Sequence, residues 1–390
     1  MPIAGNRMVS YYLVQALPRT VPRQQRAYTT WRVRMGFLKS LFGAKEAKFV
    51  EVAPFGARYE VPSGETMLEA ALKNGVPFPH NCTVGTCGSC KCKLKTGRVS
   101  ALTDFGYTLS QQEIAAGFIL ACQAIPKDPL TQVEVESAAS DAPKPEQYTG
   151  KIVATEDLTH DIKKITLELD RPVHFVAGQY ANLKYPNIRR ARNYSFADAP
   201  DRDGRKQVSF FIRKVPKGAF TEDLFGGRLA DVPFDIEAPH GAFHLHPGST
   251  PMICIAGGSG LAPLMSVLEK ARKDRVKRPC AFLFGARTEA DLYGLDQIRQ
   301  IEQNWADKFV FMPVLSHEPA DSPWKGARGL VTQFITDAMP GIDWAEAEGY
   351  MCGPPGMIDA GIASMTEVGM NLEKIFYDKF TDESHIAKMP

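Results

Sequence analysis

No stretch of this 390-residue chain approaches the ~20 consecutive apolar residues needed to cross a bilayer, so no transmembrane helix is expected. Residues 1–45 hold no Asp or Glu against eight Lys and Arg; the first acid is Glu46. The body beyond that leader is net acidic, and its basic residues do not cluster with aromatics, which excludes a nucleic-acid surface. Eight cysteines are too few in this length for a disulfide scaffold, and a reducing, cytoplasmic setting fits them. A carboxylate–histidine iron motif is also lacking, so no substrate-oxidising centre is expected on this chain.

Against that background the cysteines that are present stand out. Cys82, Cys87 and Cys90 lie in NCTVGTCGSC, a C-x4-C-x2-C run, and Cys122 follows 32 positions after Cys90. This is the spacing of a plant-type [2Fe–2S] ferredoxin, in which a tight loop supplies three thiolates and a distant segment the fourth. Gly85 and Gly88 allow the loop a positive φ and a close approach to inorganic sulfide. Zinc is the rival, but it asks for two close Cys/His pairs, and no second pair lies near Cys122. Cys92 reads as packing, because the set of four is complete without it. Cys254, Cys280 and Cys352 sit in apolar, strand-like contexts.

The length suits two or three domains. Residues 1–47 form a basic extension with three open readings: a stretch ahead of a start at Met35, a weak surface anchor built on MGFLKSLFGAK, or a targeting signal. KFVEVAPFGARYE (48–60) predicts a hairpin turning at Pro54–Phe55–Gly56. ETMLEAALK predicts a helix with Ser63–Gly64 as its cap region. KCKLKTGRV and Gln132–Val135 read as further strands, completing a β-grasp ferredoxin over 48–138. The small, polar run within 137–147 reads as a linker, placed at 139–147. From 148 to 248, GKIVATEDL, IKKITLEL, GQYANLKY and QVSFFIRKV recur as strands of an antiparallel barrel. From 249 to 390, PMICIAGGSGLAPLMSVLEKARK, PCAFLFGART and GYMCGPPGMIDAGIASM are strand–turn–helix units of a parallel, Rossmann-like sheet. The fold class is thus α+β and α/β in separate domains.

Three motifs carry the remaining chemistry. In Arg192–Asn193–Tyr194–Ser195 the arginine can grip a diphosphate, the tyrosine can stack on a flat ring, and the serine can bond its edge. Alone, that four-residue match equally describes a surface strand; its place between a ferredoxin and a Rossmann-like unit favours flavin. Gly218–Thr221 opens a helix whose first N–H groups could face a pyrophosphate, or is simply a capped start. Gly257, Gly258, Ser259 and Gly260 follow a buried strand and admit a dinucleotide, with Cys352, Gly353 and Pro354 ending a second strand on the same crevice. Cys352 has no adjacent base, so it reads as a small wall rather than a nucleophile. His240, His244 and His246 lack an acidic or thiol partner nearby and do not read as a metal site.

FPHNCTVGTCGSCKCKLKTGRV, RNYSF, FGGRLADV, IAGGSGLAP, LFGART, PWKGARGLVT and YMCGPPGMIDA together resemble the three-domain NAD(P)H-dependent reductase components of bacterial oxygenases, over about residues 48–384. The resemblance implies that Cys82, Cys87, Cys90 and Cys122 ligate the cluster. It implies that Arg192, Asn193, Tyr194 and Ser195 hold FAD with Gly218 and Thr221, and that Gly257–Gly260 and Cys352–Pro354 line the nicotinamide site. Phe380 corresponds to the aromatic that shields the flavin until nicotinamide displaces it. The implied function is transfer of electrons from NADH through FAD and the cluster to a non-haem iron, diiron, monooxygenase acting on hydrocarbons. A Rieske dioxygenase reductase and a deoxysugar-pathway reductase are the alternatives. NADH is favoured over NADPH by resemblance; Arg287 would serve the 2′-phosphate of NADPH, and Glu289 or Asp291 the ribose of NADH. A membrane-bound hydroxylase, and a peripheral inner-membrane position through the N-terminal segment, are suggested by resemblance alone. Two departures stand: His240 replaces a Tyr common in APYGxF, and the leader before Met35 has no counterpart.

Overall fold

The computed structural model describes residues 47–380 except 77, 81–84, 86–87, 136–142 and 189–190. Expectations placed on the basic leader, on Cys82 and on Cys87 lie outside the described residues. In the first module, β1 (Phe49–Ala53) and β2 (Ala57–Glu60) form the expected hairpin, with Gly56 at φ 62° in the turn. Helix α1 (Met67–Lys73) buries Met67, Leu68 and Ala71. Its cap is Thr66 rather than Ser63–Gly64: the Thr66 hydroxyl accepts from Glu69 N–H (3.2 Å) while the Glu69 carboxylate accepts from Thr66 N–H (2.9 Å). The expected strand KCKLKTGRV is two, β3 (Lys91–Thr96) and β4 (Val99–Ala101), because Gly97 turns the chain at φ 88°. After α2 (Gln111–Ala115) come β5 (Phe118–Leu120), β6 (Ala124–Pro126) and β7 (Leu130–Val135). The main sheet runs β2-β1-β7-β3-β5, with β7 parallel to β1 at its centre.

The second module begins earlier than expected, since Glu146 and Gln147, read as linker, open β8 (Glu146–Asp157). Beyond it run β9 (Ile162–Val173), β10 (Tyr180–Lys184), β11 (Arg192–Ser195), β12 (Arg205–Arg213) and β13 (Phe234–His240). All neighbours in the order β11-β10-β13-β8-β9-β12 are antiparallel, and a bridge between Phe196 and Phe210 joins the two ends into a barrel. Alternation along β9 sends Ile165, Leu167 and Leu169 inward against Phe210, Ile212 and Phe234. Helix α3 (Ala219–Phe225) adds Phe220 and Leu224 to that core.

In the third module β14 (Met252–Gly257), β15 (Cys280–Ala286), β16 (Phe309–Leu315), β17 (Ala327–Arg328), β18 (Glu348–Gly353) and β19 (Ile375–Lys379) pair in parallel, in the order β17-β16-β15-β14-β18-β19. β14 is buried throughout, so its sequence is continuously apolar. Met252, Cys254 and Ala256 face α4 (Leu261–Lys273) and α5 (Leu295–Gln303); Ile253 and Ile255 face α6 (Ile335–Ala338) and α7 (Pro355–Glu367). Strand order turns back at β14, which opens a crevice at its carboxyl end.

Arg278 locks the passage from barrel to sheet. Fully buried, it donates to Thr250 O (2.7 Å), His246 O (3.1 Å) and Glu348 Oε2 (2.8 Å), and Tyr350 Oη donates to the same carboxylate (2.5 Å).

Candidate functional site

Cys90 ends the loop ahead of β3, and Cys122 follows β5, the strand paired with β3. That pairing brings their buried sulfurs to 3.1 Å, too far for a disulfide at about 2.05 Å and close enough to share a metal centre. Gly85 and Gly88 take φ 84° and 77°, as the close loop requires. A Cβ on Gly85 would lie 2.6 Å from Gln123 Cγ. Gln123, which sequence reasoning missed, donates from Nε2 to Cys122 O (3.0 Å), and Nε2 lies 3.7 Å from Cys122 Sγ. Its Oε1 accepts from Thr103 Oγ1 (3.0 Å). Thr108 Oγ1 donates to Gly85 O at 2.5 Å and ties the loop down. These sulfurs, glycines and donors fit a [2Fe–2S] cluster. Cys92 is buried in the module's core, and burial pushes its thiol pKa up.

Arg192, Asn193, Tyr194 and Ser195 are β11, paired with β10 so that Ser195 lies opposite Tyr180. Tyr194 packs 5.1 Å from Phe220, and burial raises its phenol pKa, so the hydroxyl stays protonated. Gly218 precedes α3, where a side chain would collide with Thr221 Oγ1 at 2.7 Å. The Thr221 hydroxyl is spent on its own loop, accepting from Val215 N–H (3.1 Å) and donating to Val215 O (2.9 Å). Gly241 is held at φ 94° against the Tyr180 ring, which stacks on His240 at 5.7 Å. Burial holds His240 below the usual histidine range, although Glu237 Oε2 stands 3.2 Å away. His244 and His246 stack on each other; burial holds the His246 imidazole at about 4, and the His246 backbone N–H donates to Tyr350 Oη.

Gly257–Gly260 turns from β14 into α4 as expected. Gly260 packs directly on the end of β18: a Cβ there would fall 2.1 Å from Cys352 O. That bare backbone cradle fits a dinucleotide. Cys352 and Gly353 end β18 beside it, Pro354 caps α7, and Phe380 donates its N–H to Gly353 O at 2.8 Å, so these residues are brought together. Burial pushes the Cys352 thiol well up, leaving it protonated. Asp291 caps Thr288 through N–H and hydroxyl bonds of 2.9 Å, whereas Arg287 is exposed just past β15.

The three modules meet at a crevice of about 120 Å³ lined by Gly88 and Ser89 of the cysteine loop, Tyr180 and Phe243 of the barrel, and Phe376 and Asp378 of β19. Burial pushes the Asp378 carboxyl up to about 7. Beside the crevice lies a buried network across the seam. Lys91 Nζ lies 3.1 Å from Glu113 Oε1 and 3.2 Å from Tyr377 Oη, and Tyr377 Oη donates to Glu113. Burial alone would raise the Glu113 pKa; Lys91 and Tyr377 overcome it and hold the carboxylate below its ordinary range. No spacing in the sequence joins Glu113 to Tyr377, because the pairing exists only through the docking of two modules.

Comparison with known proteins agrees with this division. Family models match at 50–127 (2Fe-2S iron-sulfur cluster binding domain), 149–245 (oxidoreductase FAD-binding domain) and 254–361 (oxidoreductase NAD-binding domain). The xylene/toluene monooxygenase electron transfer component XylA of Pseudomonas putida is 38% identical over 343 residues, 88% of this chain and 96% of the relative. The crystal structure of Amycolatopsis cytochrome P450 reductase GcoB superposes with a TM-score of 0.64 at 34% identity, over 86% of this chain and 99% of that one. A ferredoxin reductase in carbazole 1,9a-dioxygenase gives 0.61 at 28% identity, over 86% and 98%.

Proposed function

Because the chain belongs to the three-domain NAD(P)H-dependent reductase components of oxygenases, we propose that it takes electrons from NADH and delivers them to a monooxygenase that hydroxylates hydrocarbons. The route of the family is NAD(P)H to FAD to [2Fe–2S] to the oxygenase. When bound, FAD takes the two electrons of a hydride and the cluster carries them onward singly.

Cys90 and Cys122, with Cys82 and Cys87 outside the described residues, hold the cluster in this reading. Arg192 grips the flavin diphosphate, Tyr194 and Ser195 orient the ring, and Asn193, Gly218 and Thr221 shape its cradle. Gly257, Gly258, Ser259 and Gly260 admit the pyridine dinucleotide. Cys352, Gly353 and Pro354 wall the nicotinamide, and Phe380 covers the ring position until nicotinamide enters. The working boundaries are 48–138, 146–248 and 249–390, the second moved back to the start of β8. The carrying observation is the crevice itself: it brings the cysteine loop, the barrel and β19 together.

Arg287, exposed just past β15, is the group this reading assigns to a 2′-phosphate; Arg287→Ala should leave turnover with NADH intact, and a large loss with NADPH alone would reverse the cofactor assignment. The monooxygenase partner follows XylA in name. Among the described residues no helix is long and apolar enough to cross a membrane. A membrane-bound hydroxylase, with residues 35–43 as a peripheral contact, completes the proposal; co-sedimentation with inner-membrane vesicles tests it. For the path itself, anaerobic stopped flow with NADH should show flavin bleaching, then loss of iron–sulfur absorbance, then reduction of cytochrome c. Unchanged cytochrome c reduction by Cys122→Ser would remove the cluster from the path.

A further inference from the structure

The first module touches the third through lysines that cross the seam in opposite directions. From the ferredoxin side, Lys91, next to Cys90, reaches β19: its Nζ bonds Tyr377 Oη and lies 4.2 Å over the Tyr377 ring. Its carboxylate partner Glu113 is 1% exposed, and the second oxygen of Glu113 is fixed by Ser110 N–H at 2.8 Å. From the other side, buried Lys379 reaches back: its Nζ donates to Thr108 O at 2.6 Å and pairs with Asp359 at 2.7 Å. Thr108 in turn bonds Gly85 of the cysteine loop, and Lys379 lies opposite Gly353 in the β18–β19 ladder. One strand therefore connects the nicotinamide turn to the cluster loop through four bonded residues.

We propose that β19 is a two-way clasp in which Lys91, Glu113, Tyr377 and Lys379 act as positioning residues, fixing the cluster loop against the flavin barrel and thereby setting the rate of the flavin-to-cluster electron step. A buried ion pair gains about as much from attraction as it loses by desolvation, so such a network is a poor source of stability. Its directional bonds do fix geometry, and electron transfer depends steeply on separation. The inference rests on the electron path given above.

The test uses the full holoprotein in anaerobic stopped flow, with flavin and iron–sulfur absorbance followed separately. In Tyr377→Phe and Lys379→Met, flavin bleaching by NADH should stay within about twofold of the parent while cluster reduction slows about tenfold or more. Reduction of ferricyanide, which takes electrons from flavin directly, should be unchanged, and the cluster's visible and EPR spectra should be those of the parent. Lys379→Arg, which keeps the donor, should recover part of the lost rate. Cluster reduction at the parent rate in both variants overturns the clasp, as does equal slowing of both phases. If Lys379→Met loads no cluster, Tyr377→Phe alone decides, since it removes one hydroxyl and leaves the Lys91–Glu113 pair. Failure of the parent to reduce its cluster at all would instead sink the path, not the clasp.

Discussion

The two seams of this molecule are built differently. Between barrel and nucleotide sheet, one apolar core is continuous: Ile162, Ala177 and Phe243 pack with Leu261, Leu264 and Tyr350, and Arg278 locks the crossing. Among the described residues, the ferredoxin module closes its own core with residues of 50–135 alone, and it meets the rest through lysines, carboxylates and a tyrosine. Apolar burial is non-directional and strong, so the first seam makes a single body that holds flavin and nicotinamide in register. Polar contacts are directional and nearly neutral in free energy, so the second seam can specify a docked position without welding the module in place.

Stripping iron should break this contrast most visibly. The ferredoxin module should lose its thermal transition while the flavin–nucleotide body keeps its own in calorimetry; one shared transition lost whole would show that the second seam is as strong as the first. Next in size, Arg278→Met leaves the partly buried Glu348 without its cation and should cost about 3 kcal/mol in the body's transition, with the ferredoxin's unmoved. Asp378 adds a pH effect at the crevice. Its carboxyl titrates near 7 when folded and near 3.8 when not, so the folded state binds the extra proton and stability falls as pH rises between those values. Asp378→Asn should flatten that slope in urea titrations from pH 5 to 8. The smallest effect is expected at Gln123→Leu, which removes an N–H donor beside Cys122 Sγ. The cluster potential should fall by less than a tenfold change in the reduced ratio, about 59 mV, in an EPR-monitored titration.

Legibility followed the same divide. The glycine turn ahead of α4 and the apolar β14 are local patterns, and each placed its element; of the cysteine run, Cys90 meets Cys122, while Cys82 and Cys87 lie outside the described residues. Thr66 was readable as a cap from its T-x-x-E box, yet Ser63–Gly64 drew the expectation because both flank the helix. The break at Gly97 turned on one positive φ. Glu113, Tyr377 and Lys379 carry no local mark: they pair over 264 and 271 positions and acquire meaning only once two modules dock. Gln123 is intermediate, since adjacency to Cys122 is visible in the chain but the direction of its amide is not.

The self-contained core of 50–135 also bears on how this protein could be rewired. A module whose core cluster is made of its own residues can be exchanged for a foreign ferredoxin without opening the flavin–nucleotide body. What the incoming domain must reproduce is small: a lysine after the third loop cysteine, a carboxylate at the place of Glu113, and a free carbonyl at the place of Thr108. Those three groups form a plug-in socket, and matching them is the design rule for redirecting these electrons to another oxygenase.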